Sequence, residues 1–226
     1  MGKNLNLPGE SRGVRTPVCF AAMTLQNRVN PWGELVARPE RGTLMGNRGG
    51  RLHDNASRTL GLRRWASRQW IACVLEFKGR HRVVMSPNRY TELFFLDDAT
   101  ALAAGHRPCF ECRRDEAIAF AAAWQRAFAL ARPPLVAEMD RALQVARTTR
   151  QREKVTYRET LGSLPDGVMV EVAGGKACLL RDGRLYAWTF AGYEPHAMPI
   201  PAGEVVILTP KPIVAVLATG YRPRGW

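Results

Sequence analysis

The sequence predicts an α+β fold in two parts, a small sheet with helices followed by a β-rich unit that ends in a short helix. Three observations predict this fold: strand-like runs near residues 70–96, helical periodicity over 97–146, and closely spaced hairpin signals after residue 164. With 46% apolar residues, the 226-residue chain can form a substantial core in one large domain or two small ones.

The first strands are predicted around a tight turn. Residues 70–77 form the clearest strand, because aromatic and β-branched side chains favour a pleated surface. Residues 78–80 then turn the chain, 81–85 return as a partner strand, and 91–96 form a third strand or an extended segment. The preceding segment, 24–64, is predicted to be rich in loops, and its four closely spaced glycines would let backbone N–H groups approach a ligand.

Three helices are predicted in the middle of the chain. Asp97 or Asp98 caps a short helix that ends at Gly105. A long helix follows over 113–132, and Pro133-Pro134 separates it from another helix over 135–146. The core-facing stripe of the long helix is Phe120, Trp124 and Phe128, which are spaced four residues apart.

The C-terminal part is predicted to be a set of hairpins. Gly174-Gly175 and Asp182-Gly183 are the turn signals, and Thr209 as N-cap with Pro210 at the first helical position predicts a final helix that Gly220 ends. The predicted strands are 168–172, 176–180, 184–190 and 204–208.

We divide the chain accordingly. Residues 1–23 are interpreted as a poorly ordered leader, with Met23 as an alternative start, and residues 147–160 are polar and basic, as expected of a linker or exposed arm. The predicted units are the leader 1–23, a basic domain over 24–150, a linker over 151–163 and a β-rich domain over 164–226.

The distribution of charge indicates a polyanionic partner. The net charge is +13, and residues 41–90 hold eleven Lys or Arg against Asp54 and Glu76, which is +9 in that segment alone. Arginine forms forked contacts with phosphate, so nucleic acid, most simply DNA, is the expected partner. Tyr90 and Trp65 lie among these arginines, where they would stack on unpaired bases or pack in the core. The candidate nucleic-acid-binding residues are Arg48, Arg51, Arg63, Arg64, Arg68, Arg113 and Arg114.

Other features of the composition indicate a cytoplasmic protein. The sequence has no apolar run long enough to span a bilayer and no signal-peptide pattern at its start, so we expect no membrane partner. Five dispersed cysteines, an odd number, fit reduced thiols better than a disulfide framework.

Cys109 and Cys112 form a CxxC pair at the start of a helix, which is a pattern typical of a metal knuckle. Two thiolates from one tight turn can share a tetrahedral ion such as zinc, and a helix N-terminus favours the thiolate. Cys73 is a candidate third ligand, and the other candidates are His53, His81 and His106, the last of which would otherwise be a packed ring. The alternative is a fold that has lost its metal and keeps the pair as packing residues.

The segment 101–112 resembles the metal-binding domain of Ada-type alkylation-response DNA repair proteins. It reads Ala-Leu-Ala-Ala-Gly-His-Arg-Pro-Cys-Phe-Glu-Cys, and the likeness extends more loosely over about 70–115. The resemblance implies a zinc-binding scaffold and a role at DNA, in repair or in handling modified DNA. Ada-type domains complete the zinc site with a second, upstream cysteine pair, one member of which accepts a methyl group. Residues 78–89 contain no cysteine, so we expect no methyl transfer here.

Two other functions remain open. Arg48, His53 and Asp54, with Glu92, could form a hydrolytic site, in which a His base oriented by a carboxylate and an Arg would cleave a phosphodiester. If the protein is an enzyme, such a hydrolase is favoured over a methyltransferase. The third hypothesis is a non-enzymatic module whose basic face binds an acidic protein surface.

Overall fold

The computed structural model describes Met1 and residues 24–81, 83–200 and 203–223, with backbone only for 195–198. The predicted leader over 1–23 therefore lies outside the described residues except for Met1. Within the described ranges the chain forms two six-stranded sheets and four α-helices, so the predicted α+β class is confirmed. No helix in these ranges combines the length and the apolar character needed to cross a membrane.

The first sheet has the strand order β2-β1-β5-β3-β4-β6. Its central strand β3 pairs antiparallel with β4 and β5, whereas β4 pairs parallel with β6. The strands are β1 (Gln26–Val29), β2 (Leu35–Ala37), β3 (Leu44–Arg48), β4 (Trp70–Val74), β5 (Leu93–Phe95) and β6 (Arg107–Pro108).

One prediction for this region is incomplete and another is wrong. The segment 24–64 is rich in loops, as predicted, but it also contributes three short strands that were not predicted, β1, β2 and β3. The Asn, Gly and Arg residues of β1 and β3 have weak strand propensity and are held by pairing with neighbouring strands. Residues 81–85 were predicted to pair with β4, but Val84 and Met85 lie in a turn. Because β3 and β6 occupy both sides of β4, that strand has no free edge for another partner.

The helices match their predicted positions more closely. They are α1 (Asp98–Ala103), α2 (Arg114–Ala127), α3 (Val136–Arg147) and α4 (Lys211–Ala218). Asp97 caps α1 by accepting a hydrogen bond of 2.8 Å from the Thr100 backbone N–H. The predicted cap at Thr209 is wrong, because Pro210 occupies the cap position and the Thr209 hydroxyl accepts from Met169 N–H instead. In the predicted stripe of α2, Phe120 and Trp124 are buried, whereas Phe128 lies beyond the helix end and is exposed.

The second sheet is antiparallel with the order β11-β10-β9-β8-β12-β7. Four of its strands were predicted. The exceptions are β7, which falls in the polar segment predicted as a linker, and β11, whose Gly and Pro content disfavours a strand assignment. The strands are β7 (Tyr157–Thr160), β8 (Met169–Val172), β9 (Lys176–Arg181), β10 (Arg184–Thr189), β11 (Gly192–Met198) and β12 (Glu204–Ile207).

Helix α1 lies between the two sheets. Ala101 and Ala104 pack in the core of the first sheet, whereas Ala99 and Ala103 pack against Met169 and other residues of the second. Helices α2, α3 and α4 share the largest core cluster with strands of the second sheet. The hydrophobic core therefore runs across the predicted linker at 151–163.

Two buried ion pairs connect elements around this core. Arg107, on β6, donates hydrogen bonds of 2.8 and 2.9 Å to the two carboxylate oxygens of Asp140 on α3. Arg113 makes the same forked contact with Asp98 of α1, at 2.7 and 2.8 Å. Each side chain in these pairs is at most 5% exposed, so neither charge can be solvated by bulk water instead.

Replacing Asp140 with Asn tests the role of the first pair. The substitution leaves the buried Arg107 guanidinium without a countercharge, so we expect the free energy of unfolding to fall by about 3 kcal/mol or more. The measurement is urea denaturation. Glu111→Gln is the matched control, because it neutralises the partner of Arg80 in an exposed pair and should cost about 1 kcal/mol or less. Equal losses for the two variants would contradict the assignment.

Candidate metal centre

The parallel register of β4 and β6 brings distant cysteines together. Ile71 lies opposite Arg107 and Ala72 opposite Pro108, and the Cys109 N–H donates a 3.0 Å hydrogen bond to the Ala72 carbonyl. One step further along both strands, Cys73 lies beside Cys109. A one-residue slip in this register would turn the Cys73 side chain to the other face of the sheet.

The CxxC turn supplies the third sulfur. The Glu111 N–H donates to Cys109 Sγ at 3.4 Å, and the Arg113 N–H donates to the Cys109 carbonyl as the chain enters α2. The Sγ atoms of Cys73, Cys109 and Cys112 all lie within 4.8 Å of one another. The three cysteines can therefore hold a metal ion.

The electrostatics of the cluster favour negative charge on the central sulfur. The closeness of the Cys112 and Cys73 sulfurs, in that order of importance, lowers the pKa of Cys109 through hydrogen bonding. The same contacts raise the pKa of Cys73 and, with Cys109 as the main cause, that of Cys112. A divalent cation replaces such shared protons when it binds thiolates.

The candidate histidine ligands lie in three different environments. His106 is buried between Phe95 and Trp70, with ring centroids 4.6 and 5.2 Å away, so the packed-ring interpretation is confirmed. Burial and the nearby Arg48 lower the pKa of His106 well below its usual value. His53 is also buried away from the cluster, whereas the exposed His81 lines the same cavity of about 300 Å³ as the three cysteines.

The predicted phosphate-binding arginines differ in exposure. Arg51, Arg63, Arg68 and Arg114 have exposed side chains, and Arg64 is half-buried. Arg113, also a candidate for nucleic-acid binding, is buried in an ion pair with Asp98, fifteen residues earlier, so it is not accessible to phosphate. Arg48 is also buried, with 2% of its surface exposed. Its guanidinium donates hydrogen bonds to the carbonyls of Gly33 and Arg64 and to His106 Nε2, so these contacts hold it inside the protein.

The candidate hydrolytic residues have structural hydrogen bonds. The ring nitrogens of His53 lie 2.7 Å from Thr91 Oγ1 and 3.2 Å from the Ser86 carbonyl. Asp54 Oδ1 accepts from the N–H groups of its own turn at Ala56 and Ser57, which lowers the pKa of its carboxyl. Glu92 accepts from the Met85 N–H at 2.7 Å. The contacts of His53 and Asp54 thus lead to different partners rather than to each other.

A larger cavity of about 580 Å³ was not predicted from the sequence. It lies between β2, the ends of β3 and β4, and the C-terminus of α3, and its walls include Trp32, Trp65, Arg147 and Lys154. Arg147 and Lys154 both fall in the polar and basic segment 147–160, which was interpreted as a linker or exposed arm. The one available signal was Trp65 among arginines, for which base stacking was an alternative to core packing.

Comparisons with protein-family models, with curated proteins and with solved structures found no match. Function must therefore be inferred from the residues of this chain. Three features carry that inference: the cysteine cluster, the exposed arginines and the cationic cavity.

Replacing Cys73 with Ser tests the cluster. We expect wild-type protein produced with added zinc to contain about one equivalent of metal by elemental analysis, and Cys73→Ser to lose most of it, because two thiolates from one turn bind more weakly than three. Cys178→Ser is the matched control, since Cys178 is a buried cysteine on β9, in the other sheet. Metal retained in Cys73→Ser, or lost equally in the control, would contradict a three-cysteine site.

Proposed function

We propose that this protein binds nucleic acid, most simply DNA, through exposed arginines on a scaffold that a zinc ion stabilises. The observation that carries the proposal is the exposure of the cations between residues 41 and 90. The structure describes ten of the eleven cationic residues in that segment, and seven of these ten have exposed side chains: Arg41, Arg51, Arg63, Arg68, Lys78, Arg80 and Arg89.

Among the described residues, Arg80 is the one member of this set that forms an ion pair, with the exposed Glu111. Arg63 and Arg68 flank Trp65, and Arg51 donates to the neutral side chains of Asn55 and Asn88. Forked guanidinium groups bind phosphate oxygens in pairs, and releasing counterions from the nucleic acid drives such binding. The same arginines would also suit an acidic protein surface, which is the alternative partner.

Zinc is the metal that best fits the cluster. Cys73, Cys109 and Cys112 would hold it, and three sulfur ligands at this spacing favour a soft or borderline ion over magnesium or calcium. When bound, zinc would supply a structural crosslink between β4 and the start of α2. The resemblance of residues 101–112 to the Ada-type motif supports both the metal and the role at DNA, in repair or in handling modified DNA.

Binding should depend steeply on salt. We expect micromolar or tighter affinity for a mixed-sequence duplex at low salt, with a log–log slope of about −0.9 per phosphate contact. The double variant Arg63→Gln/Arg68→Gln should reduce the magnitude of that slope by about 2. Fluorescence anisotropy over a salt series measures both quantities.

The control is Arg126→Gln/Arg184→Gln, which removes the same charge from exposed positions on α2 and β10. It should leave the slope near the wild-type value. Binding that does not respond to salt, absence of binding at low salt, or an equal effect of the control would each contradict the proposal, and absence of binding would favour an acidic protein partner.

Methyl transfer from DNA phosphotriesters should not occur. Cys73, the nearest substitute for the missing upstream cysteines, is only 6% exposed. Its sulfur is therefore poorly placed to reach a phosphotriester on bound DNA, whether or not it holds zinc. After incubation with methylated DNA, intact-mass measurement should show no added methyl group. A stoichiometric gain of one methyl that Cys73→Ser abolishes would make the protein a repair methyltransferase instead.

A further inference from the structure

The larger cavity is lined by an excess of positive charge. Five cationic side chains face about 580 Å³ of space, whereas the acidic residues on its walls are Glu34 and Glu153, both exposed. The cavity lies within the range of about 300–1,000 Å³ that is typical of pockets for small organic ligands. The cationic residues are Arg48, Arg64, Arg147, Arg152 and Lys154.

Three of these cations make hydrogen bonds to neutral groups only. Arg147 donates to the carbonyls of Gly105 and Arg68 and to Gln144, and Lys154 donates to the Ala103 carbonyl at 2.7 Å. Arg48 likewise donates to carbonyls and to a histidine ring. Among the described residues, no carboxylate forms an ion pair with any of the three, and the Nε of Arg147 is buried without a hydrogen-bond partner.

This arrangement contrasts with the rest of the core. The other two buried arginines, Arg107 and Arg113, each have a forked carboxylate partner. Around the cavity, burial and mutual repulsion lower the pKa of Arg48 and Arg147 to about 9 and that of Lys154 to about 7. Clustered buried cations are costly unless a countercharge is present, so an anionic ligand would relieve that cost.

The walls also present aromatic rings. Trp70 already packs against two guanidinium groups, because the Cζ atoms of Arg48 and Arg147 each lie 4.0 Å from its ring centroid. Trp65, 5.9 Å from Trp70, and Trp32 are half-buried on the cavity wall. Aromatic rings of this kind provide stacking surfaces for a planar base. Every base has such a planar face, so stacking does not select one base over another.

We propose that the cavity binds one unpaired nucleotide of the bound nucleic acid, with its phosphate at Arg147 and Lys154 and its base against Trp65. The combination of an anion site and a stacking surface favours a nucleotide over inorganic phosphate or a free nucleoside. A paired base in a duplex cannot enter such a cavity, so the nucleotide must come from a single-stranded overhang or from another unpaired position. This inference rests on the proposed function and gives it a substrate class.

Isothermal titration with adenosine monophosphate, adenosine and inorganic phosphate tests the cavity by itself. We expect adenosine monophosphate to bind more tightly than either of the other two probes. Lys154→Met should weaken that binding about 10-fold or more, as loss of a charge-assisted contact to phosphate predicts. Trp65→Leu should weaken it about 5-fold or more and leave phosphate binding unchanged.

Arg141→Met is the matched control, because Arg141 is an exposed arginine of α3 that does not line the cavity. If Lys154→Met fails to fold, Arg64→Gln replaces it, since Arg64 is half-buried on the same wall. No binding of adenosine monophosphate, equal affinity for inorganic phosphate, or an equal effect of the control would overturn the inference.

Strand binding separates this inference from the proposed function. An unpaired oligonucleotide should lose about 10-fold in affinity with Lys154→Met, whereas a blunt duplex should lose much less. If the unpaired oligonucleotide and the duplex both bind wild-type protein, and Lys154→Met changes the affinity for neither of them, the cavity inference fails and the proposed function stands. If adenosine monophosphate binds and no strand does at any salt concentration, the nucleotide site stands and the proposed function fails.

Discussion

The parallel pairing of β4 with β6 is the constraint on which the functional part of this molecule depends. It places Cys73 beside Cys109, and it fixes Arg107, which then reaches Asp140 on α3. The strand β6 is only two residues long, so its own ladder contributes little. The β4–β6 pairing positions Arg107 and the cysteines. In return, the Arg107–Asp140 ion pair and the cysteine cluster stabilise that short pairing.

A second constraint acts through Gly105, which precedes β6. Its φ is +83°, and a Cβ atom there would lie 2.7 Å from the Arg147 side chain, so only glycine fits without displacing that arginine. The Ala-Gly sequence ahead of the cysteine knuckle thus shapes two sites. It turns the chain toward the metal centre, and it leaves room for the guanidinium that lies on Trp70 at the wall of the cationic cavity.

The features that could be predicted from the sequence are local ones. Helices α1 to α4 and the hairpin strands β8, β9 and β10 follow from turn residues and periodicity, and α1 follows also from its cap at Asp97. The strands β1 and β3 have weak propensity and exist because of their partners. Other features depend on contacts between residues that are distant along the chain, which sequence patterns do not indicate. They are the burial of Arg113, the approach of Cys73 to Cys109 and the cavity around Arg147. The sequence thus predicted the two CxxC cysteines as metal ligands, whereas Cys73, the third cysteine of the cluster, was only one of several candidate ligands.

Helix α1 has a consequence for how the molecule unfolds. Its small side chains let one six-residue helix and its C-cap contact both sheets at once, with Ala101 and the cap residue Ala104 on one side and Ala99 and Ala103 on the other. Neither sheet can lose this helix without exposing apolar surface of its own. We therefore expect the two halves of the chain to unfold together as one cooperative unit. A larger residue at any of these alanines would overpack the space between the sheets and destabilise both halves.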